Sequence, residues 1–202
     1  PPRSTQGVSS AASDVYKRQS LNPLVVMTPK SGWWTCTSER GGGIVVWLNS
    51  LRHLSKYQPL RTVIFTANSG HELSHLGLDH FLENNSSLVR GAHAWVHLGA
   101  NFAAKKGQVL WQASTQNYMD LGLLELRKEN LKDIQSWPVS SRPLGEARNI
   151  FDGNGEYISL LGSNPFFHHP DDKWPESIDM NKLVKLNNMM LKMISSMANT
   201  TK

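Results

Sequence analysis

The sequence predicts an α/β fold with a mostly parallel sheet. Apolar segments rich in β-branched residues alternate along the chain with segments of helical period, an order typical of strand–helix–strand units. The clearest unit joins a strand at 62–67, a glycine-containing turn at 68–70 and a helix at 71–82. The roughly 180 residues that follow an atypical leader are enough for one domain with a core of its own.

Each predicted element follows from its local pattern. Strands are predicted at short apolar runs bounded by proline, glycine or polar residues: 24–27, 62–67, 92–98, 109–111 and 157–161. Helices are predicted where apolar residues recur every three or four positions: after the glycine run at 41–43, at 71–82, at 120–131 and after Asp179. Asp179 is a good N-cap for the last helix, whose apolar residues share one face: Leu183, Leu186, Met190, Met193 and Met197.

Residues 1–19 are excluded from the fold analysis. They are rich in proline, serine and alanine without an apolar period, and 13–19 reads SDVYKRQ, the translation of a common transposon-type sequencing adapter. We therefore predict a non-native, disordered leader, followed from residue 20 to residue 202 by one domain whose native N-terminal part is missing. Because the leader holds three basic residues and one acidic residue, the formal net charge of +5 falls to +3 without it.

Composition excludes several classes of function. A mild positive charge without a run of lysine or arginine does not indicate nucleic-acid binding. The single cysteine, Cys36, excludes a disulfide within this sequence and a cysteine-rich zinc site. No apolar run approaches the roughly 20 residues of a membrane span. The oligomeric state is not predicted.

Ionisable residues crowd the end of the clearest strand. The segment after Gly70 reads HELSH and matches the H-E-x-x-H motif, in which two histidines one helical turn apart bind zinc and the glutamate acts as a base. However, Gly70 places His71 at the very start of the helix, and the extended motif would need Gly and His where Leu78 and Phe81 stand. A zincin-type metallopeptidase using His71 and His75 is therefore an alternative rather than the first interpretation.

Further polar segments follow predicted strands or precede predicted helices: KSG at 30–32, ERGGG at 39–43, HE at 71–72, HLG at 97–99 and FHHPDD at 167–172. Their order resembles the zinc aminopeptidase family that includes bacterial leucyl aminopeptidases and the glutaminyl cyclases, which presents H-x-D, D-N-x-S-G, E-E, N-x-D and Y-H-x-P-x-D at successive strand ends and helix starts. ERGGG, HE and FHHPDD are similar to three of these motifs, whereas KSG and HLG replace H-x-D and N-x-D. The resemblance implies a three-layer α/β/α fold with a mostly parallel mixed sheet, and hydrolysis of peptide or amide bonds.

The same resemblance implies a reduced metal site. Glu39, Glu72 and His168 take the places of the ligands of one zinc ion, whereas two ligands of the second zinc ion are lost. We therefore expect a single zinc ion. Lys30 is able to fill the vacated cation space and to pair with Glu39. His71 takes the place of the catalytic glutamate and is able to act as the general base or as a further ligand.

Further residues near these motifs have two interpretations each. Trp33 and Trp34 either wall an apolar substrate pocket or anchor a loop. His97 either reaches the site or forms a hydrogen bond within its strand. Asp171 and Asp172 precede the last helix and are predicted to accept hydrogen bonds around the site.

Three functions therefore remain open at this stage. The first is a metallopeptidase-like hydrolase with one zinc ion, acting on a peptide or a small amide. The second is a catalytically inactive peptidase-fold protein that acts as a binding or structural module. The third is the H-E-x-x-H zincin. The family resemblance alone suggests a secreted or periplasmic protein.

Overall fold

The computed structural model describes residues 21–131 and 133–201, so the leader predicted at 1–19 lies outside the described residues. Helices and strands alternate along the described chain. In chain order the elements are β1 Leu24–Pro29, α1 Thr37–Lys56, β2 Val63–Asn68, α2 Leu76–Asn84, α3 Ser87–Gly91, β3 Ala94–Leu98, β4 Val109–Ala113, α4 Gln116–Lys128, β5 Ile134–Ser136, α5 Ala147–Asp152, β6 Tyr157–Gly162 and α6 Met180–Asn199.

The six strands form one mixed sheet in the order β2-β1-β3-β6-β4-β5. β1 pairs in parallel with β2 and β3, and β3 pairs in parallel with β6. Only the pairing of β4 with β6 is antiparallel among the described strand pairs. The predicted, mostly parallel sheet is confirmed, and the carboxyl ends of β1, β2, β3 and β6 therefore meet at one edge.

Two apolar clusters cover the two faces of the sheet and make the fold three-layered, as predicted. Alternate residues of β1 enter opposite clusters, because side chains of a strand point to its two faces in turn. The larger cluster packs the sheet against α1, α4 and α6. The smaller one packs it against α2 and α5, with α3 at its margin. No helix among residues 21–131 and 133–201 is long and apolar enough to cross a membrane.

The last helix follows its sequence pattern. Asp179 caps α6, its Oδ1 atom accepting a hydrogen bond from the Lys182 amide at 3.0 Å. All five residues of the predicted apolar face are buried against the sheet. This is the best predicted element of the chain, because both its cap and its apolar period are explicit in the sequence.

The prediction that the glycine run precedes α1 is wrong. The helix begins at Thr37 and contains all three glycines. A Cβ atom on Gly43 would lie 2.6 Å from Thr28 Oγ1 and 2.9 Å from the Leu98 carbonyl oxygen. The glycine therefore permits close packing of α1 on the ends of β1 and β3, and this packing places Glu39 at the carboxyl edge of the sheet.

The predicted start of α2 is also wrong, by five residues. Residues 71–75 form a series of turns, and the helix begins at Leu76. Ser74 and His75 have φ angles of 58° and 67°, in the left-handed region that a right-handed helix cannot contain. As a result, His71 and Glu72 lie in a turn at the sheet edge and not on a helix.

Candidate functional site

Four segments bring polar side chains to the carboxyl edge of the sheet, where open α/β folds bind their ligands. Ser31 follows β1, and Glu39 and Arg40 lie in the first turn of α1. Glu72 follows β2, and His168 lies in the loop between β6 and α6. Residues distant in sequence therefore meet in one place.

Three of these residues, predicted from separate motifs, form a compact cluster. One ligand-type atom from each of Glu39, Glu72 and His168 lies within 4.8 Å of the other two. Nε2 of His168 is 3.4 Å from Oε1 of Glu39. Glu39 is almost wholly buried, Glu72 is 10% exposed and His168 is 42% exposed. The cluster therefore opens to solvent on the histidine side.

A buried guanidinium lies between the two carboxylates. Nη2 of Arg40 is 2.9 Å from Oε1 of Glu39 and 2.7 Å from Oε1 of Glu72, and Nε donates to the carbonyl oxygen of Ser31. The Ser31 hydroxyl donates to the other oxygen of Glu72 at 2.9 Å. Lys30, predicted to supply the cation, is exposed after β1, and its pairing with Glu39 stays a prediction.

The two carboxylates differ in their surroundings. Both oxygens of Glu39 are buried and accept no hydrogen bond from the described residues, because the close approach of Arg40 lacks hydrogen-bond geometry. Burial raises the pKa of the Glu39 carboxyl, and the charges of Arg40 and His168 only partly offset it. Burial also disfavours the charge of Glu72, but hydrogen bonds, first from Arg40, outweigh it and lower the pKa of Glu72.

These contacts decide whether the cluster fits a zinc ion. Two carboxylates and an imidazole are suitable zinc ligands, and atoms that share one zinc ion at about 2.1 Å lie roughly 3.4 Å apart, the separation of Glu39 and His168. However, both oxygens of Glu72 already have a donor, and the Arg40 guanidinium contacts the oxygens that would face the ion. The cluster thus has the ligand types and the spacing of a possible zinc site, and Arg40 in this position competes with an ion for both carboxylates.

Asp172 fixes the start of α1 and hence the position of Glu39. Its Oδ1 atom accepts hydrogen bonds from the Ser38 amide at 2.9 Å and from the Ser38 hydroxyl at 2.7 Å, and its Oδ2 atom accepts one from the Glu39 amide at 2.9 Å. Asp172 is buried, whereas the side chain of Asp171 is 61% exposed and lies 3.7 Å from Lys173. The buried acceptor beside the cluster is thus Asp172.

Exposed aromatic side chains lie in the two loops that border the cluster. The exposed fractions are 49% for Trp33, 66% for Trp34, 45% for Phe167 and 60% for Trp174. The loops are held together because the carbonyl oxygen of Asp172 accepts hydrogen bonds from the Thr35 hydroxyl at 2.7 Å and from the Thr37 amide at 3.1 Å. At these exposures the rings of Trp33 and Trp34 are accessible to a ligand, and their role in a substrate pocket stays a prediction.

Glu146 is a site residue that the sequence analysis did not single out. It is wholly buried, and its Oε1 atom is 3.4 Å from Nδ1 of His71. Its Oε2 atom accepts a hydrogen bond from the side-chain amide nitrogen Nδ2 of Asn68 at 3.0 Å. A buried carboxylate of this kind orients the imidazole of His71, the predicted base. No motif marks Glu146, which directly precedes the short helix α5.

The zincin alternative is contradicted by the structure. Its two histidines do not stand on a helix, because 71–75 is a turn segment. Both ring nitrogens of His75 are engaged, Nδ1 with Oδ1 of Asn149 at 2.7 Å and Nε2 with Nη2 of Arg148 at 3.2 Å. This pattern fits a neutral imidazole with its proton on Nδ1, which leaves no nitrogen free to bind zinc.

His97 lies wholly buried near the carboxyl end of β3. Its Nδ1 atom is 2.8 Å from the Ser159 hydroxyl oxygen of the neighbouring strand β6. Burial is the main cause that lowers the pKa of His97 well below 6.5. Of its two interpretations, the structure shows the hydrogen bond within the sheet.

We predict that the protein loses stability when the pH falls below 6.5. Burial lowers the pKa of His97 and also those of His75 and His93. Above pH 6.5 these histidines are neutral in the folded and in the unfolded protein. At lower pH they bind protons in the unfolded chain more readily than in the folded protein, which favours unfolding. The stability present above pH 6.5 is therefore lost on acidification, by up to about 1.4 kcal/mol per pH unit for each histidine.

Urea unfolding between about pH 7.5 and pH 5.5 measures this loss. The variant His97→Gln should show a shallower pH dependence, whereas His80→Gln, at a position that is 55% exposed, should match the wild type. A free energy of unfolding that does not decrease over this range would contradict the prediction.

The mixed six-stranded sheet between two helical layers is the fold of zinc aminopeptidases. Solved structures with this fold include the zinc aminopeptidase BSAP from Bacillus subtilis, with a TM-score of 0.76, 13% identity, and coverage of 93% of this chain and 49% of that one. An aminopeptidase from Aneurinibacillus sp. strain AM-1 matches with a TM-score of 0.75 and 13% identity, over 94% of this chain and 47% of that one. The gamma-secretase component nicastrin matches with a TM-score of 0.69 and 11% identity, over 90% of this chain and 41% of that one.

The comparisons establish the fold and leave function to the site. The chain spans about half the length of these aminopeptidases. No protein-family model and no curated protein matches the sequence. At 11–13% identity, a shared fold does not imply a shared activity.

Proposed function

We propose that this protein uses the zinc aminopeptidase fold to bind peptides without hydrolysing them. One observation carries the proposal: Nη2 of Arg40 contacts an oxygen of both Glu39 and Glu72. These are the two carboxylates that a hydrolase of this fold would need for its metal ion. Since the guanidinium already contacts both and offsets one of their two negative charges, it competes with a second cation for the same place.

An arginine cannot replace the metal ion in the reaction. Hydrolysis of an amide at neutral pH requires a strongly activated water molecule, and a metal ion supplies one by lowering the pKa of bound water. A guanidinium has only donor groups and stays protonated, so Arg40 neutralises charge without generating a nucleophile. His71 alone supplies a base, and base catalysis contributes only part of the acceleration that an amide requires.

The surface around the cluster suits a peptide ligand. The indole rings of Trp33, Trp34 and Trp174 are at least 49% exposed, and such rings offer large contact areas with a polar group at one end. They lie on loops held at Asp172, and loops on a rigid scaffold are common binding elements. The solved structure of nicastrin, named as a gamma-secretase component, supports a role for this fold within a protein assembly.

A hydrolase with one zinc ion is the second candidate function. It is favoured by the spacing of Glu39, Glu72 and His168 and by the absence of hydrogen bonds to either oxygen of Glu39 within the described residues. The names of the aminopeptidases with this fold also support it. In this case zinc would have to displace Arg40 from both carboxylates, after which His71 would serve as the base.

Metal content, hydrolysis and peptide binding of the full chain separate the two functions. For the proposed binding module we expect less than about 0.1 zinc ion per chain after dialysis against zinc, and no release of amino acids from peptides. Trp34→Ala and Trp174→Ala should weaken peptide binding at least about tenfold, in the range of interface hot spots. About one zinc ion per chain, lost in Glu72→Ala and His168→Ala, would instead establish the second candidate.

Tyr57→Ala serves as the control for peptide binding. Tyr57 is 58% exposed and caps the opposite end of α1, about 27 Å from Glu39 at 1.5 Å per residue. Its replacement should leave the affinity unchanged. Equal losses in all three variants would mean that the peptides adhere non-specifically.

A further inference from the structure

We propose that Arg40 is a built-in counter-ion that takes the place of the metal ion, and that removing its charge converts the cluster into a zinc site. This inference rests on the proposed function, because Arg40 would explain how the protein stays folded without a metal ion between Glu39 and Glu72. Arg40 directly follows Glu39 in the first turn of α1.

The charges of the cluster give Arg40 this role, because its positive charge lies between two carboxylates. Glu39 is almost wholly buried and Glu72 is only 10% exposed, and two such carboxylates side by side would repel each other. Burying carboxylates without a compensating cation is strongly unfavourable. Arg40 is itself 2% exposed and contacts both, so it bridges the two carboxylates as a metal ion would.

Contacts on the other side of the guanidinium hold it in this position. Its Nε atom donates to the carbonyl oxygen of Ser31, and the Ser31 hydroxyl donates to Glu72. The hydroxyl oxygen also accepts a hydrogen bond from the His71 amide at 3.3 Å. The chain after β1 is thus bonded to the cation and to one of its anions, which orients Arg40 toward the carboxylates rather than toward solvent.

The oxygens of Glu39 and the Nε2 atom of His168 are placed so that they could bind a cation smaller than a guanidinium. Both oxygens of Glu39 are buried and accept no hydrogen bond from the described residues. Nε2 of His168 lies 3.4 Å from one of them. Without Arg40, two carboxylates and an imidazole would remain close together, and these groups are zinc ligands.

Zinc binding by the full chain tests the inference in the variants Arg40→Asn and Arg40→Gln. The wild type should take up no zinc, whereas each variant should bind about one ion per chain. Because zinc binds only the folded state, saturating zinc should raise the Tm of each variant by roughly 5–10 °C. A chelator should reverse the shift, and the Tm of the wild type should not change.

Two controls locate the ion. Adding His168→Ala to Arg40→Asn should abolish zinc uptake, because it removes the third ligand. Arg52→Asn removes the same charge from an exposed position of α1 and should not create a zinc site. Uptake that persists without His168, or that appears in Arg52→Asn, would place the ion elsewhere and overturn the inference.

The outcomes separate the inference from the proposed function. Zinc uptake by the wild type would contradict the proposed function, whatever the variants do. Folded Arg40→Asn and Arg40→Gln proteins that bind no zinc would overturn the inference while the proposed function stands. Variants that remain unfolded at saturating zinc would also overturn it, since the ion is expected to replace the lost cation.

Discussion

Replacing Asp172 by alanine is expected to lower the free energy of unfolding by roughly 2–4 kcal/mol. The change removes three hydrogen bonds from a buried carboxylate to the first turn of α1. Two of their donors are backbone amides of Ser38 and Glu39, which no residue of the same helix can satisfy. Urea unfolding followed by circular dichroism measures the loss.

Asp171→Ala provides a matched control one residue away. Its carboxylate is 61% exposed and lies 3.7 Å from Lys173, so its removal should change stability by no more than about 0.5 kcal/mol. Equal effects of the two substitutions would show that Asp172 does not hold the helix. Such a result would also contradict the conclusion that Asp172 fixes the position of Glu39.

Replacing Gly43 by alanine is expected to have a comparable effect, of roughly 2–4 kcal/mol. The added Cβ atom would meet the Thr28 hydroxyl at 2.6 Å and the Leu98 carbonyl oxygen at 2.9 Å, and these two atoms share a hydrogen bond of 2.8 Å. Since a carbonyl oxygen of the central sheet cannot move freely, α1 must shift away from it. Overpacking of this kind typically costs 1–3 kcal/mol, and a lost buried hydrogen bond adds about 1 kcal/mol.

Gly41→Ala in the same helix should act in the opposite direction. A Cβ atom on Gly41 would meet nothing within 4 Å, so the higher helix propensity of alanine should stabilise the protein by roughly 0.5–1 kcal/mol. Thermal and urea unfolding of the two variants form a direct comparison. A destabilised Gly41→Ala, or a Gly43→Ala protein as stable as the wild type, would contradict the packing described here.

The fold was predictable from sequence where an element carries a long and regular pattern. The start and cap of α6 followed from Asp179, and its buried face followed from five apolar positions. The strands β1, β2, β3 and β6 followed from apolar runs and differ by at most two residues at either end. The elements α3, β5 and α5 were missed because three to six residues are too few to establish a period.

The errors concern features that side-chain patterns do not encode. The glycine run was interpreted as a helix entry because glycine is a poor helix former, but the close approach of α1 to β1 and β3 requires it inside the helix. The start of α2 depends on positive φ angles at Ser74 and His75, which no apolar period reveals. The H-E-x-x-H alternative failed for the same reason.

The resemblance to the zinc aminopeptidases indicated which residues of the candidate site meet, but not how they are paired. Strand ends of a parallel sheet share an edge, which is why Glu39, Glu72 and His168 lie together. The direction of Arg40 depends on Ser31 and Glu72, which come from other segments, so the sequence did not distinguish it from a surface arginine. Glu146 was missed because no motif accompanies it.

Diffraction from crystals soaked in zinc, with anomalous data collected at the zinc absorption edge, tests the central claim most directly. The account predicts electron density for the Arg40 guanidinium between Glu39 and Glu72, with no anomalous peak there, in the wild type. A strong peak bonded to Glu39, Glu72 and His168, with Arg40 displaced from both carboxylates, would contradict it and establish a zinc site.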